Sequence, residues 1–390
     1  MRGATPLMGR RGSYDDSALC CCEYINEDKE RSHLLATLCN CEAIDEAFER
    51  LFTRQSIEKQ NLARIMDTIS DRLRIPWPGG AKKVPLDVAA ALCCVSFTIF
   101  LGSFSWTLTI VNYSVILPSI LLVTHHSIKR KVVDSSQIYK TDKSSPKKNP
   151  RSRFYFSWLV VSIMSLLFIY YTQVIAELKI SSLENLVFLV LVCVSCTCMY
   201  LVRATTCAGF ESRSKAGGEE CEIFESGEWR ICGRCQQQVP RQASHCHTCD
   251  TCYLLRDHHC VWLDTCISCV NDRWFVVGLT FGLMALCYGA QLSLTTVCHP
   301  QLLDVYFTTV LVPHTCMDAF MDSRYSLSTS AACYSIFLSV FVSVALLQQV
   351  VCVLWGVKLR EFRYRHSKAM AGGWSFKQPF ENCVHFWWRS

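Results

Sequence analysis

A short stretch crowded with cysteine and histidine, residues 232–275, restricts the fold more than any other feature of the chain. It contains eight cysteines and four histidines and lies between long apolar segments. Two C-x2-C pairs open it, Cys232/Cys235 and Cys246/Cys249, and further cysteines and histidines follow. This spacing is typical of tetrahedral zinc sites, so we expect two structural zinc ions here.

The run Asp257-His258-His259-Cys260 adds a carboxylate, two imidazoles and a thiol. A purely structural zinc module does not need this combination. A free thiol has a pKa of about 8.5 and is mostly protonated at neutral pH, so a histidine partner raises the thiolate fraction. The run therefore indicates nucleophilic chemistry at Cys260, and the alternative is a packed or metal-ligating thiol.

The apolar residues occur in blocks, which indicates a membrane protein. Hydrophobic residues make up 51% of the chain, and the mean hydropathy is +0.20. Many of the 26 cysteines lie within apolar blocks or at zinc spacing, so they do not indicate a secreted disulfide scaffold. The chain has a net charge of +6, and its basic residues lie beside apolar segments. This distribution favours the membrane surface as a partner and argues against nucleic acid.

Six membrane spans are expected from the lengths of the apolar runs. Residues 84–126 are roughly twice as long as one span and predict a helical hairpin that turns near Trp106 to Ser114. A single tilted span is the alternative, and it would place the N-terminus in the lumen. The other spans are expected at Phe154 to Ala176, Leu186 to Leu201, Trp274 to Thr295 and Tyr334 to Val357.

The basic residues predict the orientation of the spans. Residues 127–153 carry nine Lys/Arg and two Asp, whereas loop 297–331 carries one basic residue and three Asp. We therefore expect both termini and the cysteine-rich domain to face the cytosol. The predicted fold class is an α-helical polytopic membrane protein of about six transmembrane helices, with a small cytosolic zinc-binding cysteine-rich domain.

The predicted domain organisation follows from these boundaries. The regions are a cytosolic N-terminal region at 1–83, a transmembrane hairpin at 84–126, a basic cytosolic loop at 127–153, transmembrane helices 3 and 4 at 154–204, the cysteine-rich zinc domain at 205–273, transmembrane helices 5 and 6 at 274–357 with the lumenal loop 297–331, and a cytosolic C-terminal tail at 358–390.

The whole pattern resembles the DHHC-type protein S-acyltransferases (palmitoyltransferases). The resemblance rests on the cysteine and histidine spacing, on Asp257-His258-His259-Cys260 followed by Trp262, and on Asn271 and Phe275. It covers about 45 residues, and the flanking membrane segments extend it to roughly half the chain. The common plan of the family has four spans, so the 84–126 hairpin is expected to be an N-terminal addition.

The resemblance implies two interleaved Cys3His zinc sites beside a reactive thiol. Neighbouring side chains of an extended segment face opposite ways, so His258 and Cys260 share one face and His259 lies on the other. His258 can then accept the thiol proton while Asp257 holds its tautomer. The implied zinc ligands are Cys232, Cys235, His245 and Cys252 for one ion, and Cys246, Cys249, His259 and Cys266 for the other.

The resemblance implies ping-pong acyl transfer. Cys260 attacks the thioester of a long-chain acyl-CoA, typically palmitoyl-CoA, and the chain then passes to a cytosolic cysteine of a membrane-associated protein. Burial of the chain gains about 0.8 kcal/mol per CH2, so Cys260 is expected at the cytosolic bilayer surface. The expected cofactors are two structural zinc ions, with acyl-CoA as the acyl donor. The lipid bilayer is a further partner, an accessory subunit is left open, and the family favours an endomembrane location in the Golgi or ER.

Several residues have two readings from sequence alone. Arg230, Arg234, Arg256 and Arg273 are candidates to contact the CoA phosphates, and lipid headgroups are an equal alternative. Cys20-Cys21-Cys22 is a candidate acylation site, with an unmodified tail as the alternative. Asn382 is compared with an asparagine of the family's C-terminal motif, and a chance match is the alternative.

Departures from the family pattern support a second hypothesis, a non-catalytic membrane adaptor whose zinc module binds proteins. Intact Asp257, His258 and Cys260 favour the enzyme. A transporter or channel is disfavoured because the spans contain almost no buried charges that would mark a pathway. The departures are Cys207-Ala208-Gly209, Val239, Gln242, Thr265 and Ser268, and the lack of Thr-Thr-x-Glu after the last span.

Overall fold

The computed structural model describes residues 71–128, 152–177, 180–205, 229–305, 308–359 and 377–388, with short pieces before residue 54. Most of the N-terminal region before residue 71, most of the basic loop 127–153 and the Cys207-Ala208-Gly209 departure lie outside these residues. The chain forms two units, residues 1–89 and residues 90–390.

The described residues of the first unit form two short antiparallel strand pairs. The Arg74 guanidinium stacks on the Tyr24 ring at 4.0 Å and pairs with Asp71 at 2.6 Å. These contacts tie the second strand pair to the first. The pairs are β1 (Glu23–Ile25) with β2 (Arg31–His33), and β3 (Arg74–Ile75) with β4 (Lys82–Lys83).

Apolar helices build most of the second unit. Among the residues that the structure describes, five helices are long and apolar enough to cross a membrane, and α1 is a shorter apolar helix of 17 residues that begins in the first unit. The helices are α1 (Leu86–Gly102), α2 (Trp106–Ile128), α3 (Phe154–Glu177), α4 (Ser182–Thr205), α5 (Asp272–Val297), α6 (Ser323–Leu354) and the short α7 (Lys377–Trp388).

The N-terminal hairpin, defined as α1 and α2, turns earlier than the sequence suggested. The chain reverses at residues 103–105, and the Ser105 side chain caps α2 by accepting a hydrogen bond from the Leu108 amide at 3.3 Å. Asn112 lies inside α2, fully buried, and donates to the Thr98 carbonyl at 2.8 Å. The prediction of a turn near Trp106 to Ser114 was therefore wrong, because a serine cap starts the helix before its polar residues.

Two other helices begin before their predicted starts because their first turns are polar. At α4, Ser181 and Glu184 form a reciprocal capping box, so the helix starts at Ser182 and not at Leu186. At α6, Asp322 accepts from the Arg324 amide at 3.0 Å, so the helix starts at Ser323 and not at Tyr334. Residues 323–331 therefore belong to a helix and not to the predicted loop.

The segment between α5 and α6 forms a hairpin that the sequence analysis missed. Strand β11 (His299–Val305) pairs with β12 (Thr308–Thr315), and a disulfide joins Cys298 to Cys316 at the base of the hairpin. Disulfides form and persist in oxidising compartments. Its presence is compatible with the predicted lumenal side for this segment.

Polar contacts join the N-terminal hairpin to α6. The Tyr113 hydroxyl lies 2.9 Å from Ser330 Oγ, which donates to the Ile99 carbonyl at 2.6 Å. A Cβ on Gly102 would lie only 2.5 Å from Ser330 Oγ, so glycine permits this close approach. Small residues and interhelical hydrogen bonds are the usual means of helix association in membranes.

The cysteine-rich stretch between α4 and α5 folds as three two-stranded antiparallel hairpins. Asn271 is fully buried and donates both to the Val202 carbonyl of α4 at 3.0 Å and to the Cys266 carbonyl at 3.1 Å, which holds the stretch against the helices. The hairpins are β5 (Trp229–Ile231) with β6 (Gln238–Pro240), β7 (Ala243–Cys246) with β8 (Thr251–Leu254), and β9 (His258–Cys260) with β10 (Thr265–Ile267).

Candidate active site and zinc groups

Two Cys3His groups come together in the cysteine-rich stretch. Within each group, the donor atoms all lie within 4.8 Å of one another. The first zinc group is Cys232, Cys235, His245 and Cys252, and the second zinc group is Cys246, Cys249, His259 and Cys266.

The spacing of the donor atoms fits tetrahedral zinc. In the second zinc group, Cys249 Sγ is 3.7 Å from Cys266 Sγ and 3.4 Å from His259 Nδ1. In the first, Cys235 Sγ is 3.7 Å from Cys252 Sγ. Zn–S bonds of about 2.3 Å and Zn–N bonds of about 2.0 Å place neighbouring tetrahedral ligands about 3.5–3.8 Å apart. The sulfur atoms are too far apart for disulfides, which need about 2.05 Å.

A carboxylate stands behind each histidine of the two zinc groups. His245 Nε2 lies 3.3 Å from Asp250 Oδ1, and His259 Nε2 lies 3.9 Å from Asp264 Oδ1. A carboxylate that accepts a hydrogen bond from Nε2 keeps the proton on that nitrogen, so Nδ1 is free to bind a metal. Asp250 and Asp264 both have positive φ, +54° and +49°, so each sits in the tight turn of its own hairpin.

These two hairpins carry an internal repeat, which the sequence analysis missed although the printed sequence shows it. Residues 245–252 read HCHTCDTC and residues 259–266 read HCVWLDTC. The repeat aligns Cys260 with Cys246, and Leu263 with Cys249. Cys246 and Cys249 belong to the second zinc group, whereas Cys260 and Leu263 belong to neither group. Cys260 therefore occupies a ligand position of the repeat without being bound into a metal group.

Cys260 is buried at the boundary between the zinc hairpins and the helices. It is 8% exposed and packs in an apolar cluster with Leu263, Ile267, Phe275 and Leu279. In strand β9, His258 and His259 face opposite ways, so His259 reaches the second zinc group while His258 lies on the same strand face as Cys260 and interacts with its thiol. This is the arrangement that strand alternation predicted.

A buried carboxylate orients His258. Asp257 Oδ2 accepts from His258 Nδ1 at 2.9 Å, so Nε2 is the ring nitrogen left for proton transfer. Burial opposes the charged imidazolium, but the hydrogen bond to Asp257 and the interaction with the Cys260 thiol outweigh this effect and raise the pKa of His258 to about 9. Burial also disfavours the carboxylate, yet its hydrogen bonds, above all that from His258, hold the pKa of Asp257 below its usual value.

The last membrane helix completes the surroundings of Asp257. Gln349 of α6 donates to Asp257 Oδ2 at 3.2 Å, and the backbone amide of Leu359, just past α6, donates to Oδ1. Asp257 is 4% exposed and Gln349 is 6% exposed. Sequence reasoning did not identify Gln349 or Leu359, because a residue 92 or 102 positions away leaves no spacing pattern.

An apolar cavity of about 400 Å³ begins at Cys260 and lies among the membrane helices. Its wall follows α5 from Phe275 to Ser293, which corresponds to about 27 Å of helix rise. Leu121, Leu159, Phe188 and Phe341 line it from α2, α3, α4 and α6. The arrangement places a thiol at one end of an apolar channel that crosses most of the span length.

Two departures from the family pattern, Val239 and Ser268, and the C-terminal candidate Asn382 have structural roles. Val239 is 1% exposed and packs against the first zinc group with Ala243. The Ser268 amide donates to Asn271 Oδ1 at 2.9 Å. Asn382 of α7 donates to the Leu354 carbonyl at 2.9 Å and so ties the C-terminal helix to the end of α6.

Three of the four candidate arginines are engaged within the protein. Arg230 donates to the Ala243 carbonyl at 2.7 Å, Arg256 to Ser244 Oγ at 3.1 Å, and Arg273 to the Phe386 carbonyl at 3.0 Å. These bonds use part of each guanidinium, and its remaining donors stay compatible with either reading of the sequence.

The fold and the site define a class: a polytopic membrane protein whose zinc module presents a thiol, an imidazole and a carboxylate to an apolar cavity. Residues 225–364 match the sequence model of the DHHC palmitoyltransferase family. This part of the chain is a DHHC palmitoyltransferase domain, and the resemblance predicted from the sequence is confirmed.

Two relatives extend this similarity over nearly the whole chain. The chain is 26% identical over 388 residues to palmitoyltransferase ZDHHC23 of Homo sapiens, covering 88% of each protein. It is 25% identical over 398 residues to palmitoyltransferase ZDHHC23-B of Danio rerio, covering 90% of this chain and 86% of that one. Palmitoyltransferase ZDHHC2 of Mus musculus matches over 69 residues, 18% of this chain. The similarity to the ZDHHC23 proteins therefore extends well beyond the cysteine-rich stretch.

Proposed function

We propose that this S-palmitoyltransferase works through an acyl-enzyme on Cys260. The observation that carries the proposal is the position of Cys260, outside both zinc groups, on the same strand face as His258 and in the lining of the apolar cavity. The Cys260 thiolate attacks the carbonyl of a long-chain acyl-CoA, the carbonyl-to-CoA bond breaks, and CoA leaves as a thiol with a proton from His258.

The second half of the reaction runs in the opposite sense. A cysteine of a membrane-associated protein gives its proton to His258 and attacks the Cys260 thioester, which frees Cys260 and leaves the acyl chain on the acceptor. Asp257 holds His258 in the required tautomer throughout. The zinc ions, when bound, cross-link the hairpins that carry these residues, with the eight residues of the two zinc groups as ligands.

The acyl chain is proposed to occupy the cavity, with the CoA in water. The lining of the cavity is apolar, and each buried CH2 contributes about 0.8 kcal/mol. A long-chain donor such as palmitoyl-CoA suits a cavity that follows α5 as far as Ser293.

The side of the membrane on which the site lies is inferred from what is found at the two ends of α5. Cys260 lies beside the start of this 26-residue helix, and the Cys298–Cys316 disulfide lies at its other end. Because the disulfide requires an oxidising compartment, Cys260 belongs at the cytosolic surface of an endomembrane such as the Golgi or ER. The domain boundaries proposed from the sequence are retained, with the hairpin turn and the starts of α4 and α6 corrected.

The test is acylation of the purified, zinc-loaded chain with labelled palmitoyl-CoA. We expect label that neutral hydroxylamine removes, and peptide mapping should place it on Cys260. Subsequent addition of a membrane-bound acceptor should transfer the label to the acceptor cysteine. A folded, zinc-loaded protein that gains no thioester would contradict the mechanism and favour the adaptor hypothesis.

The contact between Gln349 and Asp257 makes a second prediction. Gln349→Leu should slow acylation by about threefold to tenfold, because Asp257 loses a buried donor and holds His258 less well. Gln348→Leu is the matched control, since Gln348 is the exposed neighbour on the same helix. Single-turnover acylation rates measure the effect, and equal rates for the two variants would remove Gln349 from the mechanism.

A further inference from the structure

Tyr155, in the first turn of α3, connects the N-terminal hairpin to the turn that follows Cys260. Its hydroxyl donates to the Leu121 carbonyl of α2 at 3.1 Å. Its ring meets the ring of Trp262 edge to face, with centroids 5.0 Å apart. Tyr155 is 6% exposed, so neither contact competes with much solvent.

Trp262 stands between two apolar clusters. On one side is the cluster of the N-terminal hairpin, which includes Leu121 and Tyr155. On the other side is the cluster that includes Cys260 and Leu263. Trp262 and Leu121 both line the cavity, so the hairpin contributes to the cavity wall as well as to the support of the Cys260 turn.

The opposite side of the same turn is held by α4. Arg203 donates to the Leu263 carbonyl at 2.8 Å, and its guanidinium lies 3.9 Å from the centre of the Phe156 ring. The turn after Cys260 is therefore fastened at two consecutive residues, Trp262 and Leu263. Tyr155 provides the fastening that depends on the N-terminal hairpin.

We propose that Tyr155 is a positioning residue that couples the N-terminal hairpin to acyl transfer. The Leu121 carbonyl fixes the Tyr155 hydroxyl, the fixed ring sets the orientation of Trp262, and Trp262 sets the position of the Cys260 turn at the cavity mouth. Through Tyr155 and Trp262, the N-terminal hairpin thereby helps to position Cys260 for acyl transfer. The inference rests on the proposed role of Cys260.

The test compares two tyrosine-to-phenylalanine substitutions in the full-length, zinc-loaded protein. Tyr155→Phe removes the bond to Leu121 and keeps the ring. Tyr113→Phe is the matched control, because Tyr113 is a buried hairpin tyrosine that bonds Ser330 of α6 and whose ring packs on Tyr334. Single-turnover acylation at saturating labelled palmitoyl-CoA gives both a rate constant and an amplitude.

The expected result separates positioning from stability. Tyr155→Phe should lower the rate constant about threefold to tenfold, whereas Tyr113→Phe should leave it unchanged. A variant that merely unfolds in part lowers the amplitude and keeps the rate constant. In a Trp262→Leu background, Tyr155→Phe should have little further effect on the rate, because both changes break the same connection.

Two results would overturn the inference. One is an unchanged rate constant for Tyr155→Phe beside an active wild type. The other is an equal fall for Tyr113→Phe, which would make the effect a general consequence of a weakened hairpin. A wild type that forms no thioester at all would instead overturn the proposed mechanism of Cys260 and this inference with it.

Discussion

Cys260→Ser is expected to abolish the hydroxylamine-labile label of the wild type. The serine hydroxyl has a far higher pKa than a thiol, so His258, the proposed base, cannot activate it to the same extent. Loss of a nucleophile of this kind lowers rates by about three orders of magnitude or more. Mass spectrometry of the intact protein after exposure to palmitoyl-CoA gives the measurement, with zinc content as the check on folding.

Cys269→Ser is the matched control for this experiment. Cys269 lies in the same stretch, outside both zinc groups, and its thiol contacts the Leu254 carbonyl at 3.7 Å. Its replacement should leave the label in place. If Cys260→Ser kept the label and Cys269→Ser lost it, the nucleophile would be Cys269.

His259→Ala should remove one of two zinc ions and abolish acylation. His259 Nδ1 lies within 3.8 Å of three cysteine sulfurs of the second zinc group. Structural zinc contributes on the order of 10 kcal/mol to the folding of small zinc modules. Since His259 lies between His258 and Cys260 in β9, loss of this anchor releases the strand that carries the reactive residues.

The matched control is His247→Ala, and zinc stoichiometry after dialysis is the measurement. His247 stands two residues after His245 but belongs to neither zinc group. The control should keep two zinc ions and the acylation of the wild type. Two zinc ions retained by His259→Ala, or one lost from His247→Ala, would refute the present division of ligands.

Whether a contact of the site can be predicted from the sequence depends on how far apart its two residues lie along the chain. The donors of the second zinc group span 246–266, and the alternation along β9 separates His258 and Cys260 from His259. The ligand set was expected from the family resemblance, and the separation of these residues was expected from strand alternation. The starts of α4 and α6 were harder to predict from the sequence, because the caps at Ser181 and Asp322 belong to polar turns that hydropathy assigns to loops.

The sequence by itself determined the membrane class, the number of zinc sites and the face shared by His258 and Cys260, and the family resemblance supplied the division of the zinc ligands. These features depend on the lengths of apolar runs and on the spacing of nearby residues, which determine spans, zinc-binding hairpins and strand faces directly. Only the tertiary structure decided that Gln349 and Leu359 hold Asp257, that Tyr155 supports Trp262, and that a cavity begins at Cys260. Contacts of this kind depend on how helices distant in the chain pack against one another, and such packing leaves no period in the sequence.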